Sequence, residues 1–316
     1  MSDPRVAVRP WLGLLALLSA ATIWGSTFVV TRGMLDAIGP LTIAAGRFLL
    51  ALVVLLPLAW RQGYRPRDSL APAFLGYGVT GIALFFGLQN LGLVFTTAGS
   101  AALLVALVPA VTAALARVVL AEPLPALRSA GIAAAVLGAV LVVAAGADLG
   151  GPRAWVGNLL ILGAVLSWAA YTVQGRRVLA GRSAVVAATG GIVAGLGVLL
   201  PAAAVELALT GPAAPTPGSL GGLVYLGLVA SAAALLLWNA GIARVEASAA
   251  GATLNVVPVV GLLFAALAGE PLSALQVAGG ALVVVGVALA NRPPPRGPAG
   301  AGAARADAPP SAGGPR

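Results

Sequence analysis

Residues 121–143 of the chain read "AEPLPALRSAGIAAAVLGAVLVV", and residues 269–290 read "GEPLSALQVAGGALVVVGVALA". Aligned over 122–141 and 270–289, the two passages are identical at 11 of 20 positions, including a Glu-Pro-Leu triplet and two glycines. Because alanine-rich sequences often match by chance, this pair of passages alone only suggests an internal repeat.

Further matches follow in the same order along the chain. "GLLALLSAATIWGSTFVVTRGML", which starts at residue 13, aligns with "GNLLILGAVLSWAAYTVQGRRVL", which starts at residue 157, at an offset of 144 residues. At an offset of 149 residues the aligned pairs are Asn90 with Asn239 and Pro109 with Pro258. Similar offsets throughout predict two structural repeats, at residues 11–146 and 155–291.

The composition is that of a membrane protein. Hydrophobic residues make up 60% of the chain and charged residues 9%, and the mean hydropathy is +1.02, whereas soluble proteins are about 45–50% apolar and about 25% charged. A hydrocarbon core of ~30 Å takes about 20 residues to cross. Runs of this kind predict an all-α membrane protein with ten transmembrane helices, at residues 11–31, 39–60, 70–93, 96–118, 127–146, 155–174, 184–208, 220–241, 248–267 and 274–290.

The net charge of +9 comes from 18 arginines and no lysine. With the N-terminus in the cytoplasm, 15 of the arginines fall in inward segments, only Arg32 and Arg153 fall in outward loops, and Arg47 falls within a helix. This bias predicts that both termini are cytoplasmic. A secretory signal is the alternative for the first run, but its hydrophobicity continues to Val30, beyond a signal core.

Each predicted repeat contains five helices, which is an odd number. The second copy must therefore cross the membrane in the opposite sense, so that the two repeats are inverted. Inverted repeats can exchange conformations around a central site, which is the architecture of alternating-access carriers. The repeat thus favours a transporter.

The sequence resembles the EamA type of drug/metabolite transporter over residues 11–291. The matching stretches are "IWGSTFVVTR", "AAGRFLLALVVLLP", "ALFFGLQNLGLVFTTAGSAALLVALVPAVTAAL" and the two Glu-Pro pairs. The resemblance implies a carrier of the bacterial inner membrane, often an exporter of amino acids or other small metabolites. It does not identify the substrate.

Arg47 is the one charged residue well inside a predicted span. An arginine near the bilayer centre costs roughly 2.5–3.5 kcal/mol on insertion scales, so its side chain should face the protein interior or a wet cavity. One interpretation is a contact with an anionic substrate group, such as a carboxylate. The other is a clamp between helices.

A pocket for an amphipathic metabolite needs apolar and aromatic walls with a few polar groups. The residues predicted to bind substrate are Trp24, Thr27, Arg47, Gln89, Asn90, Trp168, Tyr171, Asn239 and Asn255. Hydrogen bonds between packed helices explain many such residues without a ligand. Packing therefore remains the alternative for each of them.

Pro109 and Pro258 fall within predicted helices, where each removes an intrahelical hydrogen bond. Their matched positions suit gates that bend, and static kinks are the alternative.

Glu122 and Glu270 each precede a proline at a helix start, which predicts capping. Since the acids lie at span ends or in loops, we expect no tight proton coupling through a buried carboxylate. Glu206 is the residue most able to overturn this expectation.

The absence of cysteine and histidine removes thiol chemistry, thiolate metal sites and the commonest general base. We therefore expect no enzyme activity, metal or cofactor. The expected partners are a small-molecule substrate and the lipid bilayer, with a homodimer allowed and nucleic acid excluded, because the arginines report topology. An uptake carrier, an exchanger or a passive channel is the alternative to an exporter.

The Pro/Ala/Gly-rich tail at 292–316 is predicted to be disordered.

Overall fold

The computed structural model describes residues 10–120, 125–149, 151–211, 214–244 and 253–290. Regular secondary structure in these ranges is entirely helical. The tail and Glu122 lie outside the described residues. The helices are α1 (Pro10–Arg32), α2 (Pro40–Arg61), α3 (Pro72–Phe95), α4 (Ala98–Val105 and Val108–Leu120), α5 (Ala126–Leu149), α6 (Ala154–Val178), α7 (Ala184–Thr210), α8 (Pro217–Ile242), α9 (Val256–Leu267) and α10 (Ala274–Ala290), and a short 3-10 helix (Pro66–Leu70) precedes α3.

Within the described ranges, eight helices, α1 to α8, are long and apolar enough to cross a membrane. The helices α9 and α10 are also apolar but shorter, with 12 and 17 residues. Part of the predicted ninth span falls at residues 245–252, outside the described residues. The protein is thus a multi-pass helical membrane protein, and ten crossings remain a prediction.

Within the described ranges, two helices, α3 and α8, contain a wide, π-helical turn. In α3 it spans Val79–Leu84, and in α8 it spans Tyr225–Ala233. Such turns insert an extra residue into a helix and occur frequently at functional sites. The turn in α8 contacts Arg47 and Trp24, and the turn in α3 contacts Tyr171.

The prolines lie directly after interruptions in their helices. The two segments of α4 are separated by Ala106 and Leu107, and Pro109 is the second residue of the later segment. Pro258 is the third residue of α9, which follows a turn at residues 254–255. A proline in a first helical turn lacks only an N–H that has no partner within that helix. Pro109 and Pro258 therefore mark helix starts rather than uninterrupted interiors.

Helices α5 and α10, which carry the two matching passages, pack against each other. A Cβ atom built on Gly131 would lie 2.6 Å from the carbonyl oxygen of Gly286, and one built on Gly138 would lie 2.6 Å from that of Gly279. The order of these pairs makes the two helices antiparallel. Only glycine permits backbones to approach this closely.

A second close approach joins α3 to α6, and a third joins α1 to α8. A Cβ atom on Gly157 would lie 2.6 Å from the carbonyl oxygen of Gly92, and one on Gly241 would lie 3.0 Å from that of Gly13. Because these glycines have no side chains, α6 lies alongside α3 and α1 lies alongside α8. The helices α3 and α8 contain the π-helical turns. These contacts place the candidate site.

Carboxylates tie helix ends together between different helices. Glu206, near the end of α7, accepts hydrogen bonds from the backbone N–H groups of Leu41 and Thr42 at the start of α2, at 3.0 and 2.8 Å. Glu270 accepts from the N–H groups of Ala98 and Gly99, at 2.9 and 3.0 Å. The expectation that Glu270 caps the helix that follows it, α10, is wrong, because its carboxylate caps α4.

Candidate functional site

Arg47 on α2 is buried, with 2% of its surface exposed. Its Nε donates a hydrogen bond of 3.0 Å to Oγ of Ser231 on α8. The guanidinium carbon lies 4.6 Å from the ring centroid of Phe86 and 5.4 Å from that of Phe48. Its Nη1 is buried without a hydrogen-bond partner among the described residues, which leaves a donor available to a ligand.

The π-helical turn of α8 prepares Ser231 to receive this bond. The Ser231 hydroxyl donates to the carbonyl oxygen of Leu226, five residues earlier, at 2.8 Å. With its proton used there, the oxygen accepts from Arg47. The widened turn thereby makes a serine a fixed acceptor for a buried cation.

Aromatic side chains extend from Arg47 in a continuous row. The aromatic row consists of Phe48, Phe86, Phe85, Trp168, Tyr171 and Tyr77. Its centroid separations include 4.7 Å for Phe48 and Phe86 and 4.0 Å for the stacked pair of Tyr171 and Tyr77. Such separations are typical of favourable aromatic pairs, and the row places continuous aromatic surface next to Arg47.

The far end of the row depends on the π-helical turn of α3. A Cβ atom on Gly81 would lie 2.0 Å from the Tyr171 ring, so the glycine makes room for that ring. The Tyr77 hydroxyl donates to the Tyr171 hydroxyl at 2.7 Å. Two α6 residues also bind this turn: the Ser167 hydroxyl donates to the carbonyl of Thr80 at 2.7 Å, and Gln174 Nε2 donates to the Thr80 hydroxyl at 3.1 Å.

Trp24 reaches the same turn of α8 as Arg47. Its Nε1 donates to the carbonyl oxygen of Ala230 at 3.1 Å, and its ring lies 5.3 Å from the ring of Trp238. The Thr27 hydroxyl donates to the carbonyl oxygen of Trp24 at 2.7 Å. Trp24 and Arg47 therefore hold successive residues, Ala230 and Ser231.

The amides predicted to bind substrate have differing surroundings. Gln89 is 3% exposed and lies one turn after Phe85 and Phe86 on α3. Asn90 donates to the carbonyl oxygen of Pro40 at 3.0 Å, which joins α3 to the start of α2. Nδ2 of Asn239 is buried without a partner among the described residues. Asn255 is half-buried and directly precedes α9.

Of the predicted residues, the described contacts bring together Trp24 and Arg47 through α8, and Trp168 and Tyr171 through the aromatic row. Sequence reasoning missed Ser231, Phe86 and Tyr77. Phenylalanine carries no signal in so apolar a chain, and Ser231 lies 184 residues from Arg47.

Two of the cavities formed by the described residues open at the protein surface. One, of about 300 Å³, is lined by residues from the ends of α1 and α3 and from the segments that precede α4 and α6. The other, of about 310 Å³, lies between α1, α8 and α9 and includes the hydrogen-bonded pair of Ser26 and Tyr225, whose hydroxyls are 2.6 Å apart. Within the described ranges, no group of three or more acids could hold a metal ion.

A multi-pass helical bundle with a buried cation among aromatic rings has the features of a membrane transporter, and comparison with known proteins gives the family. Residues 11–144 and 155–292 match the EamA-like transporter family. The chain belongs to that family.

Two relatives from different bacteria align over nearly the whole chain. A "Probable terminal-alkyne amino-acid exporter" of Streptantibioticus cattleyicolor is 34% identical, covering 88% of this chain and 92% of its own. A "Probable amino-acid metabolite efflux pump" of Salmonella typhimurium is 32% identical, covering 87% and 93%. A crystal structure at 23% identity has a TM-score of 0.60 and covers 88% of this chain and 96% of that one, a likeness of fold.

Proposed function

We propose that the protein is a secondary transporter that exports small metabolites, such as amino acids or related compounds, across the bacterial cytoplasmic membrane by alternating access. Residues 11–146 and 155–291 form the two inverted five-helix repeats, and both termini are cytoplasmic. The names of the relatives support export and the substrate class. The observation that carries the proposal is the buried, incompletely bonded Arg47.

The glycine contacts of α5 and α10 support inversion. In the repeat, Gly131 corresponds to Gly279 and Gly138 corresponds to Gly286, at an offset of 148 residues. Exchanging the repeats turns the contact between Gly131 and Gly286 into the contact between Gly279 and Gly138, which is also present. A pair of antiparallel helices that maps onto itself in this way is related by a twofold axis perpendicular to both. Such an axis lies in the membrane plane, as inverted repeats require.

The contacts around the site obey the same exchange. Gly92 corresponds to Gly241, and Gly157 corresponds to Gly13, so the close approach of α3 to α6 is repeated by that of α8 to α1. Trp168 and Trp24 also correspond, and each lies on the helix that packs against a helix with a π-helical turn in the opposite repeat. The proposed site is thus built at the interface between repeats.

Arg47 supports a substrate that carries a carboxylate. A guanidinium group pairs with a carboxylate through two parallel N–H donors, and Nη1 is free of other partners among the described residues. The aromatic row supplies apolar and cation-binding faces for the remainder of an amino-acid-like molecule. Gln89 contributes a polar group to this proposed pocket, and Trp24, whose Nε1 is bonded to Ala230, contributes an aromatic face.

Pro109 and Pro258 are proposed gates. Each lies in the first turn of a helix after an interruption, in corresponding positions of the two repeats. A helix segment without a continuous hydrogen-bond ladder can change its angle more easily than an intact one. Bending at the two prolines in alternation would expose the site to one side and then to the other.

The test is export from cells lacking the gene, with a panel of amino acids and analogues followed in medium and cytoplasm by mass spectrometry. Accumulation of one class inside, reversed by the wild-type gene but not by Arg47→Ala, is expected. Counterflow in proteoliposomes separates carrier from channel, since only a carrier shows saturable exchange. Export of no compound in the panel, with uptake instead, would support the uptake carrier.

A further inference from the structure

The two arginines that lie in predicted outward loops, Arg32 and Arg153, line one cavity. The cavity holds about 300 Å³, with Thr96, Thr97 and Pro152 among its other lining residues. Its volume is at the lower end of the range for small-molecule sites. Among the 17 arginines other than Arg47, these two are the exceptions to the inward bias. Topology therefore does not explain why both of them line the same cavity.

Arg32 is held in place by the end of α3. Its Nη1 donates to the carbonyl oxygen of Leu93 at 2.8 Å and to that of Val94 at 3.4 Å. A cation at a helix C-terminus is favoured by the helix dipole. This contact holds one guanidinium nitrogen of Arg32. The other N–H donors of that guanidinium have no hydrogen-bond partner among the described residues.

Arg153 immediately precedes α6, and its side chain is exposed. It has no side-chain hydrogen bond or ion pair within the part of the chain that the structure describes. Its side chain also does not cap α6, whose N-terminus carries the positive end of the helix dipole. The start of α6 and the free guanidinium therefore both contribute positive potential.

The carboxylate of Glu270 caps α4 beside the cavity-lining Thr97, and Glu270 is not among the residues that line the cavity. Its two oxygens are bonded to the N–H groups of Ala98 and Gly99. Neither arginine forms an ion pair with it. Two guanidinium groups, one anchored and one free, thus face a cavity without a paired counter-ion among the described residues.

We propose that this cavity binds an oxyanion, with Arg32 and Arg153 holding a carboxylate or phosphate group between them. Guanidinium groups recognise both by planar, charge-assisted hydrogen bonds. The oxyanion belongs either to a free metabolite or to a phospholipid headgroup. The proposal rests on the proposed topology only in placing the cavity on the outer side.

The test uses the natural absence of cysteine. Pro152→Cys places a single thiol in the cavity, Val94→Cys is a second reporter on α3, and Ala214→Cys in the exposed loop before α8 is the matched control. The full-length variants are placed in phosphatidylcholine nanodiscs, which expose both faces. The rates of reaction with an anionic and a cationic thiosulfonate reagent are then measured.

We expect the ratio of anionic to cationic rates in the Pro152→Cys variant to exceed that in the Ala214→Cys variant by about 30-fold. Unit charges ~4 Å apart in water attract or repel each other by ~1 kcal/mol. The anionic reagent is attracted and the cationic reagent is repelled, so the two differ by ~2 kcal/mol. Adding Arg153→Gln should bring the ratio close to the control value. Equal ratios at the reporters and at the control would overturn the proposal, whether or not the protein transports anything.

Competition identifies the source of the oxyanion. Acetate or inorganic phosphate that slows labelling of Pro152→Cys, but not of Ala214→Cys, indicates a free anion. Protection that appears only when phosphatidylglycerol is added to the nanodisc indicates a lipid headgroup. Labelling that neither kind of anion slows contradicts a binding site.

Discussion

The carboxylate of Glu206 on α7 accepts hydrogen bonds from both the backbone N–H and the hydroxyl of Thr42 on α2, each 2.8 Å long. The opposite ends of these helices meet through a neutral contact, in which the Ser183 hydroxyl donates to Gln62 Oε1. Glu206 and Gln62 are separated by 144 residues, the offset of the first repeat match. A carboxylate thus holds one end of the α2 and α7 pair, and an amide holds the other.

Glu206→Gln is expected to weaken this link without abolishing transport, because a helix cap rather than a proton carrier is lost. Hydrogen bonds to charged groups contribute ~1.5–3 kcal/mol, so thermal unfolding of the purified protein should occur at a lower temperature. Gln62→Glu is the matched change at the opposite end. In proteoliposomes, substrate should equilibrate regardless of an imposed pH gradient. Uphill accumulation that Glu206→Gln abolishes would show instead that Glu206 couples protons.

Arg47→Ala is expected to remove transport while the protein still accumulates in the membrane. Loss of the guanidinium removes the proposed carboxylate partner, but it also removes a buried charge that costs roughly 2.5–3.5 kcal/mol to insert. Ser231→Ala, which removes the acceptor for Nε and keeps the cation, is the control and should retain part of the activity. Failure of Arg47→Ala to accumulate would favour the structural clamp, and full activity would exclude both roles.

Gly138→Ala is expected to destabilise the bundle, because its Cβ atom would lie 2.6 Å from both the carbonyl oxygen of Gly279 and the backbone nitrogen of Val283. Overpacking of this kind costs about 1–3 kcal/mol. Gly197→Ala in α7 is the control, since a Cβ atom there meets no atom within 4 Å. Thermal unfolding in detergent should separate the two variants, and equal stability would argue against close packing of α5 and α10.

The topology is tested by single cysteines at exposed positions in two loops. Ala180 follows α6 and Ala214 precedes α8, and both side chains are exposed. An impermeant thiol reagent applied to intact cells should label Ala214→Cys strongly and Ala180→Cys only after permeabilisation. The arginine bias places the first outside and the second inside. The reverse pattern would invert the proposed orientation.

The amino-acid sequence by itself determined the class of protein and the course of α1 to α8, because crossing a bilayer requires a minimum apolar length that composition alone reveals. It also singled out Arg47, since a charge within an apolar run is costly wherever the helix packs. The tertiary structure determined which residues Arg47 and Glu270 contact. Ser231, 184 residues away, receives Arg47 because a π-helical turn redirects its hydroxyl. Likewise Glu270 caps α4 rather than its own helix. Such contacts depend on how helices distant in sequence are brought together, and local residue patterns carry no record of that arrangement.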